Sequence, residues 1–169
     1  MSTENLQQAE AIKKLKELSE KARICMFCTD LETLPITSRP MSIRETDEEG
    51  NLWFISSSAS NKNFEIAEDN RVQLLFMNND NSEYLSVYGK AHIYTDKSMI
   101  EEKWTAFANA WFEEGKDDPK ASLIRVAPEE TYYWDTKACK LVSLLSFAAA
   151  AISGTKTDNS DGVEGKLNI

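Results

Sequence analysis

The chain has one histidine, three cysteines, four prolines and six glycines in 169 residues, and nowhere a long unbroken apolar run. His92 with Cys25, Cys28 and Cys139 gives too few ligands at workable spacing for a structural zinc, so no metal site is expected. No Ser-His-Asp or Cys-His arrangement stands out and the carboxylates are dispersed, so hydrolytic catalysis has no support. Three cysteines cannot all pair, and a chain of this length buries enough surface without covalent staples, so reduced thiols are expected. Basic residues are scarce: 19 against 28 acidic ones, a net charge of −9. That balance gives a mainly electrostatic grip on nucleic acid or an anionic membrane little to work with, and any anionic ligand must be held by a local cluster. The amino terminus lacks the basic start and apolar stretch of a secretory signal, and no segment has the length of a membrane span. The expectation is a soluble cytoplasmic protein.

What is present fits one globular domain, with 41% hydrophobic and 28% charged residues. Residues 6–22 place Ile12, Leu15, Leu18 and Ala22 at the three-and-four spacing of an amphipathic helix. Residues 24–29 and 36–46 read as strands, the second interrupted by Pro40, which cannot donate to a ladder and so belongs at an edge, a bulge or a ligand contact. Turn chemistry at residues 47–51 predicts that residues 52–55 return antiparallel to 36–46 as a hairpin. A serine-rich loop leads to a short helix at 62–68, with Ser60 as a candidate cap. Strands are predicted at 72–77 and 84–94 around an exposed hairpin loop, a helix from 97 through 112, a strand pair at 122–126 and 131–135, a strand at 140–145, and an alanine-rich helical turn at 147–152. The domain is expected over residues 1–154, with a polar, mobile or loosely docked tail at 155–169. The sum is an α+β, mainly β architecture, an antiparallel barrel of about six strands with peripheral helices.

Across the predicted hairpin, Arg39 falls at the end where the returning strand exits into Ser57, Ser58, Ser60, Asn61 and Lys62. Two cations, hydroxyls and the amides of a helix start converging on one spot, in a chain otherwise acidic, are the equipment for a phosphate. Cys25 and Cys28 match the spacing of redox dithiols. In a strand, however, positions three apart face opposite ways, so core filling is the better reading. His92 falls in a polar strand register, which suits a surface residue better than a catalyst, and Trp104, Phe107, Trp111 and Phe112 fit helical packing or an interface.

The order of Arg39-Pro40-Met41-Ser42, residues 52–55 leading to Lys62, residues 72–76, residues 86–91, residues 110–119 and residues 128–135 resembles the pyridoxamine 5′-phosphate oxidase-like FMN-binding split barrels, most closely the general stress protein 26 type. That resemblance implies a homodimer with FMN, or alternatively FAD, in clefts at the subunit interface. By the same resemblance Arg39, Ser60 and Lys62, with Asn61 beside them, hold the flavin phosphate. Pro40, Met41, Phe54, Ile55, Ser56 and Ser57 line the ribityl chain and ring, and Trp111 closes the cleft from its own or the partner subunit. The implied activity is a flavin-dependent oxidoreductase of unknown substrate. Its alternatives are a non-catalytic flavin-sequestering stress protein and a split barrel using deazaflavin or haem. The carboxy-terminal substrate grip of true pyridoxamine phosphate oxidases has no counterpart here, so oxidation of vitamin B6 is not expected.

Overall fold

The computed structural model describes residues 2–136 and 162–169. Its elements run β1 (Ser2–Thr3), β2 (Leu6–Gln7), α1 (Gln8–Ala22), β3 (Ile24–Thr29), β4 (Thr37–Ser42), β5 (Glu45–Thr46), β6 (Leu52–Ser57), α2 (Asn61–Glu68), β7 (Arg71–Asn78), β8 (Glu83–Tyr94), α3 (Lys97–Lys103), two 3-10 turns (Ala106–Ala110 and Gly115–Asp117), β9 (Ala121–Asp135) and β10 (Val163–Asn168). Mainly β with three helices, the described residues form one mixed sheet of ten strands where about six were expected. Six longer strands lie in the order β4-β3-β7-β8-β9-β6, each antiparallel to its neighbour. The mixed character comes from β1 and β2, which both run parallel to β10.

Period-two alternation builds the interior. Along β7, Val72, Leu74 and Phe76 point inward while Leu75 and Met77 face out. Leu52, Phe54, Val87, Ile124 and Val126 meet them, and α1 closes one side with Ala11, Leu15 and Leu18. Phe27 and Phe54 touch edge to face at 5.3 Å, a geometry that adds to burial the attraction of a ring edge for a ring face. A second cluster on the other side of β6 and β9 packs Trp53, Leu123 and Ala121 against Ile100 and Phe112.

Four sequence expectations are corrected. First, residues 36–46 do not form a hairpin with 52–55. Apart from the short β5–β6 pairing, β4 pairs with β3 through Thr37↔Thr29 to Ser42↔Ile24, because residues 30–36 supply the nearer turn. Among the described residues β4 and β6 share no ladder, and the gap between them is an open cleft. Second, the predicted helix 97–112 stops at Lys103. Trp104 turns to extended angles and its indole donates to Asn109 at 2.8 Å across the following 3-10 turn. Third, 122–126 and 131–135 are one strand. Ala127-Pro128-Glu129-Glu130 is a bulge within it, where a proline costs no ladder bond. Fourth, residues 163–168 of the expected tail are strand β10, paired to β9 from Val163↔Asp135 to Lys166↔Tyr132. The strand and helical turn read at 140–145 and 147–152 lie outside the described residues.

Candidate functional site

The cleft between β4 and β6 has a volume of about 880 Å³. Arg39, Pro40 and Met41 enter it from β4, Ile55, Ser56 and Ser57 from β6, Lys62 from α2, and Trp111 from the turn after α3. Its middle is apolar, with Ile24, Ile43 and Phe107 beside Met41, Ile55 and Trp111. Three expected residues do not line it. Phe54 is fully buried in the main core, Ser60 sits just behind the wall, and Asn61 is exposed at the helix start.

Local chemistry fixes the cationic end. Ser60 occupies the cap position of α2, yet its one hydroxyl proton is shared between the Ser57 carbonyl at 2.7 Å and Asn63 Oδ1 at 3.1 Å, so it caps no helix amide. Among the described residues no side chain accepts from the first amides of α2, which keeps the positive end of that helix available to an anion. Asn63, nearly fully buried, anchors this end. Its Oδ1 accepts from Ser56 Oγ at 2.8 Å, its Nδ2 donates to Ser122 Oγ at 3.1 Å, and Ser122 Oγ donates to the Ser56 carbonyl at 2.9 Å. The loop, the helix start and β9 are thereby tied together.

Arg39 lies under the same loop. Its Nη1 donates to Thr29 Oγ1 and its Nη2 to Glu65 Oε2 at 2.7 Å, while Thr29 Oγ1 donates to Glu65 Oε2 at 2.5 Å. Thr29 is wholly buried, so its hydroxyl is polarised between a guanidinium it accepts from and a carboxylate it donates to. Burial alone would raise the Glu65 carboxyl. The hydrogen bonds from Thr29 and Arg39, with the charges of Arg39 and Lys62, outweigh burial and hold its pKa below the ordinary range.

Lys62 is half-buried and donates to Ser60 Oγ at 3.0 Å, and no carboxylate among the described residues stands within ion-pair distance of it. Burial first, and Arg39's charge second, push its ammonium below its ordinary value, with Glu65 offsetting part of the effect. A half-buried cation in no ion pair among the described residues, beside an arginine and an uncapped helix start, is a donor set suited to a phosphate.

The other sequence candidates lie elsewhere. Cys25 is in the main core, where burial raises its thiol pKa sharply, and Cys28 faces the opposite side of β3. His92 is exposed on β8 opposite Arg125 and does not reach the cleft. Sequence reasoning missed Thr29, Asn63, Glu65 and Phe107. Only Glu65 carried a legible sign, since it follows Lys62 by three residues and so shares its helix face.

An antiparallel sheet split between two strands, with a cationic pole at one end of an apolar cleft, is the architecture of a family of small β proteins. Residues 10–158 match the family described as pyridoxamine 5′-phosphate oxidase like, and the chain belongs to it. In solved structures the fold is similar to a candidate general stress protein 26 from Jannaschia sp. CCS1 (TM-score 0.72, 22% identity, 93% of this chain and 99% of that one). It is also similar to a general stress FMN/FAD binding protein from Xanthomonas citri (TM-score 0.65, 25% identity, 76% and 90%). Among curated proteins it is similar to Protein bli-3 of Neurospora crassa, 27% identical over 117 residues that cover 64% of this chain. The match spans only 56% of that protein.

Proposed function

We propose that this chain is an FMN-binding flavoprotein of the general stress protein 26 type, working as a flavin-dependent oxidoreductase on a substrate yet to be identified. One observation carries the reading: Arg39, Lys62 and the uncapped start of α2 meet at one end of an apolar cleft in a chain of net charge −9. In this reading Arg39 and Lys62 hold the cofactor phosphate with Ser57, Ser60 and Asn61 around it. Pro40, Met41, Ile55 and Ser56 flank the ribityl chain and ring, Phe54 contributes only its backbone, and Trp111 covers the ring. The flavin supplies hydride or single-electron transfer, and the protein supplies binding, orientation and exclusion of water. FAD is the alternative ligand, and the name of the Xanthomonas citri relative includes both flavins.

The partner in this reading is a second copy of the chain. The outer sheet face carries Met26 opposite Leu75 and Met77 opposite Tyr84, with Tyr84 opposite Trp134. Ile24, Leu75, Met77 and Tyr84 are exposed there, an apolar patch of the kind that marks an interface. The patch runs into the cleft through Ile24 and Pro40, so a dimer would cover both together.

The test is an absorption spectrum of the purified protein followed by flavin titration. FMN release on denaturation, and Arg39→Ala and Lys62→Ala each weakening FMN binding by about 1.5–3 kcal/mol, is the expected outcome. A protein that ignores added flavin sinks the reading. Flavin binding without turnover of NADH or NADPH against several acceptors would favour the sequestering role instead. An axial histidine for haem has no support at this cleft, because His92, the one histidine of the sequence, does not line it.

A further inference from the structure

We infer that Glu65 sets the charge that the phosphate pole accepts: it holds Arg39 in position while cancelling one of the two cations, so the site discriminates among flavins by phosphate charge and does not simply bind the most anionic form. The inference rests on the flavin-phosphate reading above and concerns the same pole.

Three contacts carry it. Arg39 Nη2 and Thr29 Oγ1 both donate to a single Glu65 oxygen, at 2.7 and 2.5 Å, and Arg39 Nη1 donates to Thr29. This closed triangle joins β3, β4 and α2, so it fixes the guanidinium where the cleft begins. Glu65 is nonetheless a full negative charge at an anion site, one helical turn beyond the amides that would face the ligand. Two cations and one carboxylate leave a single net positive charge at the pole. A phosphate monoester such as FMN carries close to two negative charges above pH 7, whereas the flavin-side phosphate of FAD carries one, and riboflavin none. Glu65 therefore repels FMN most, FAD less and riboflavin least, while its hydrogen bonds serve all three by orienting Arg39. Lys62, which pairs with no carboxylate among the described residues, remains the cation left to the ligand.

The substitution that separates the two roles is Glu65→Gln, which keeps an oxygen to accept from Arg39 and Thr29 but removes the charge. Titration at pH 8 and 0.1 M salt, read by quenching of flavin fluorescence, compares the variant with the native chain for FMN, FAD and riboflavin. The expected result is FMN binding tightened about tenfold, FAD about threefold and riboflavin unchanged. Glu65→Ala, which also removes the charge, should tighten FMN less because Arg39 loses its anchor. It serves as the second variant if the amide disturbs the helix. Unchanged or weaker FMN binding in both variants, or equal tightening for all three flavins, overturns the inference. Native protein that binds riboflavin as well as FMN overturns the phosphate pole itself, and is seen before any variant is made.

Discussion

Holding an ammonium half out of water is costly, and Lys62 bears that cost before any ligand arrives. Its folded pKa lies below the ordinary 10.5, through burial and then Arg39, so between the two values the folded protein binds fewer protons than the unfolded chain and stability rises with pH. Below both values the desolvated charge is a fixed penalty. A bound phosphate reverses the preference. FMN affinity should therefore fall as pH climbs through the lowered Lys62 value, at alkaline pH below 10.5, and calorimetric titration across that range checks it. Replacing the charge, as in Lys62→Met, should raise the melting temperature of the flavin-free protein by roughly 2–4 °C, about 1 kcal/mol, while weakening FMN binding. Thermal melts with and without FMN read both effects. Arg39 and Lys62 were legible in the sequence because cations next to serines are uncommon in so acidic a chain. Glu65 was legible only as a neighbour of Lys62 three residues on, because one carboxylate among 28 acidic residues gives no sign of its pairing with Arg39 until the fold brings α2 to β4.

Among the elements, β8 and β9 form the longest pairing of the sheet that carries the cleft. Their pairing runs the length of both strands, and it stays continuous by shifting register between Tyr88 and Gly89, where Glu129 is the extra residue on β9 and its carboxylate reaches Lys90 at 2.7 Å. Gly89 is required at this crossing: a Cβ there would stand 2.2 Å from the Ala127 carbonyl oxygen. Gly89→Ala should cost roughly 1–3 kcal/mol by forcing the strands apart, read as a lowered urea midpoint. The sequence concealed this element for a physical reason. Pro128 with two glutamates reads as a turn, and only the partner strand, absent from any local window, turns that stretch into a bulge. The same limit explains the β4 error. Pro40 falls on an edge strand, one of the three settings expected for it, but which neighbour β4 takes depends on the turn at residues 30–36 competing with the one at 47–51.

At the scale of the whole molecule, the exposed Ile24, Leu75, Met77 and Tyr84 predict that the outer face is covered in solution. Leu75→Asp, which points away from the core, should leave the fold intact and convert a dimer to monomers in sedimentation or light scattering. If the cleft is shared, flavin affinity should fall along with it. A variant that stays dimeric would move the interface elsewhere. The general architecture was legible from alternation and turn chemistry, and the resemblance of ordered short motifs led to the right family. The closing strand β10 was not, since a polar, glycine-containing segment becomes a strand only when β9 and the amino terminus are there to pair with it.

That last pairing has a kinetic side. Ser2 and Thr3 sit against Val163 and Glu164, and Leu6 and Gln7 against Leu167 and Asn168, so the first strands of the sheet wait for the last. At about 5–20 residues per second, a ribosome leaves them unpaired for roughly 10–30 s. Gly165 adds a steric condition, because Glu4 packs so closely over it that no larger residue would let the two ends dock. Until β10 is made, the pairing groups of β1 and β2 have no partner strand among the described residues.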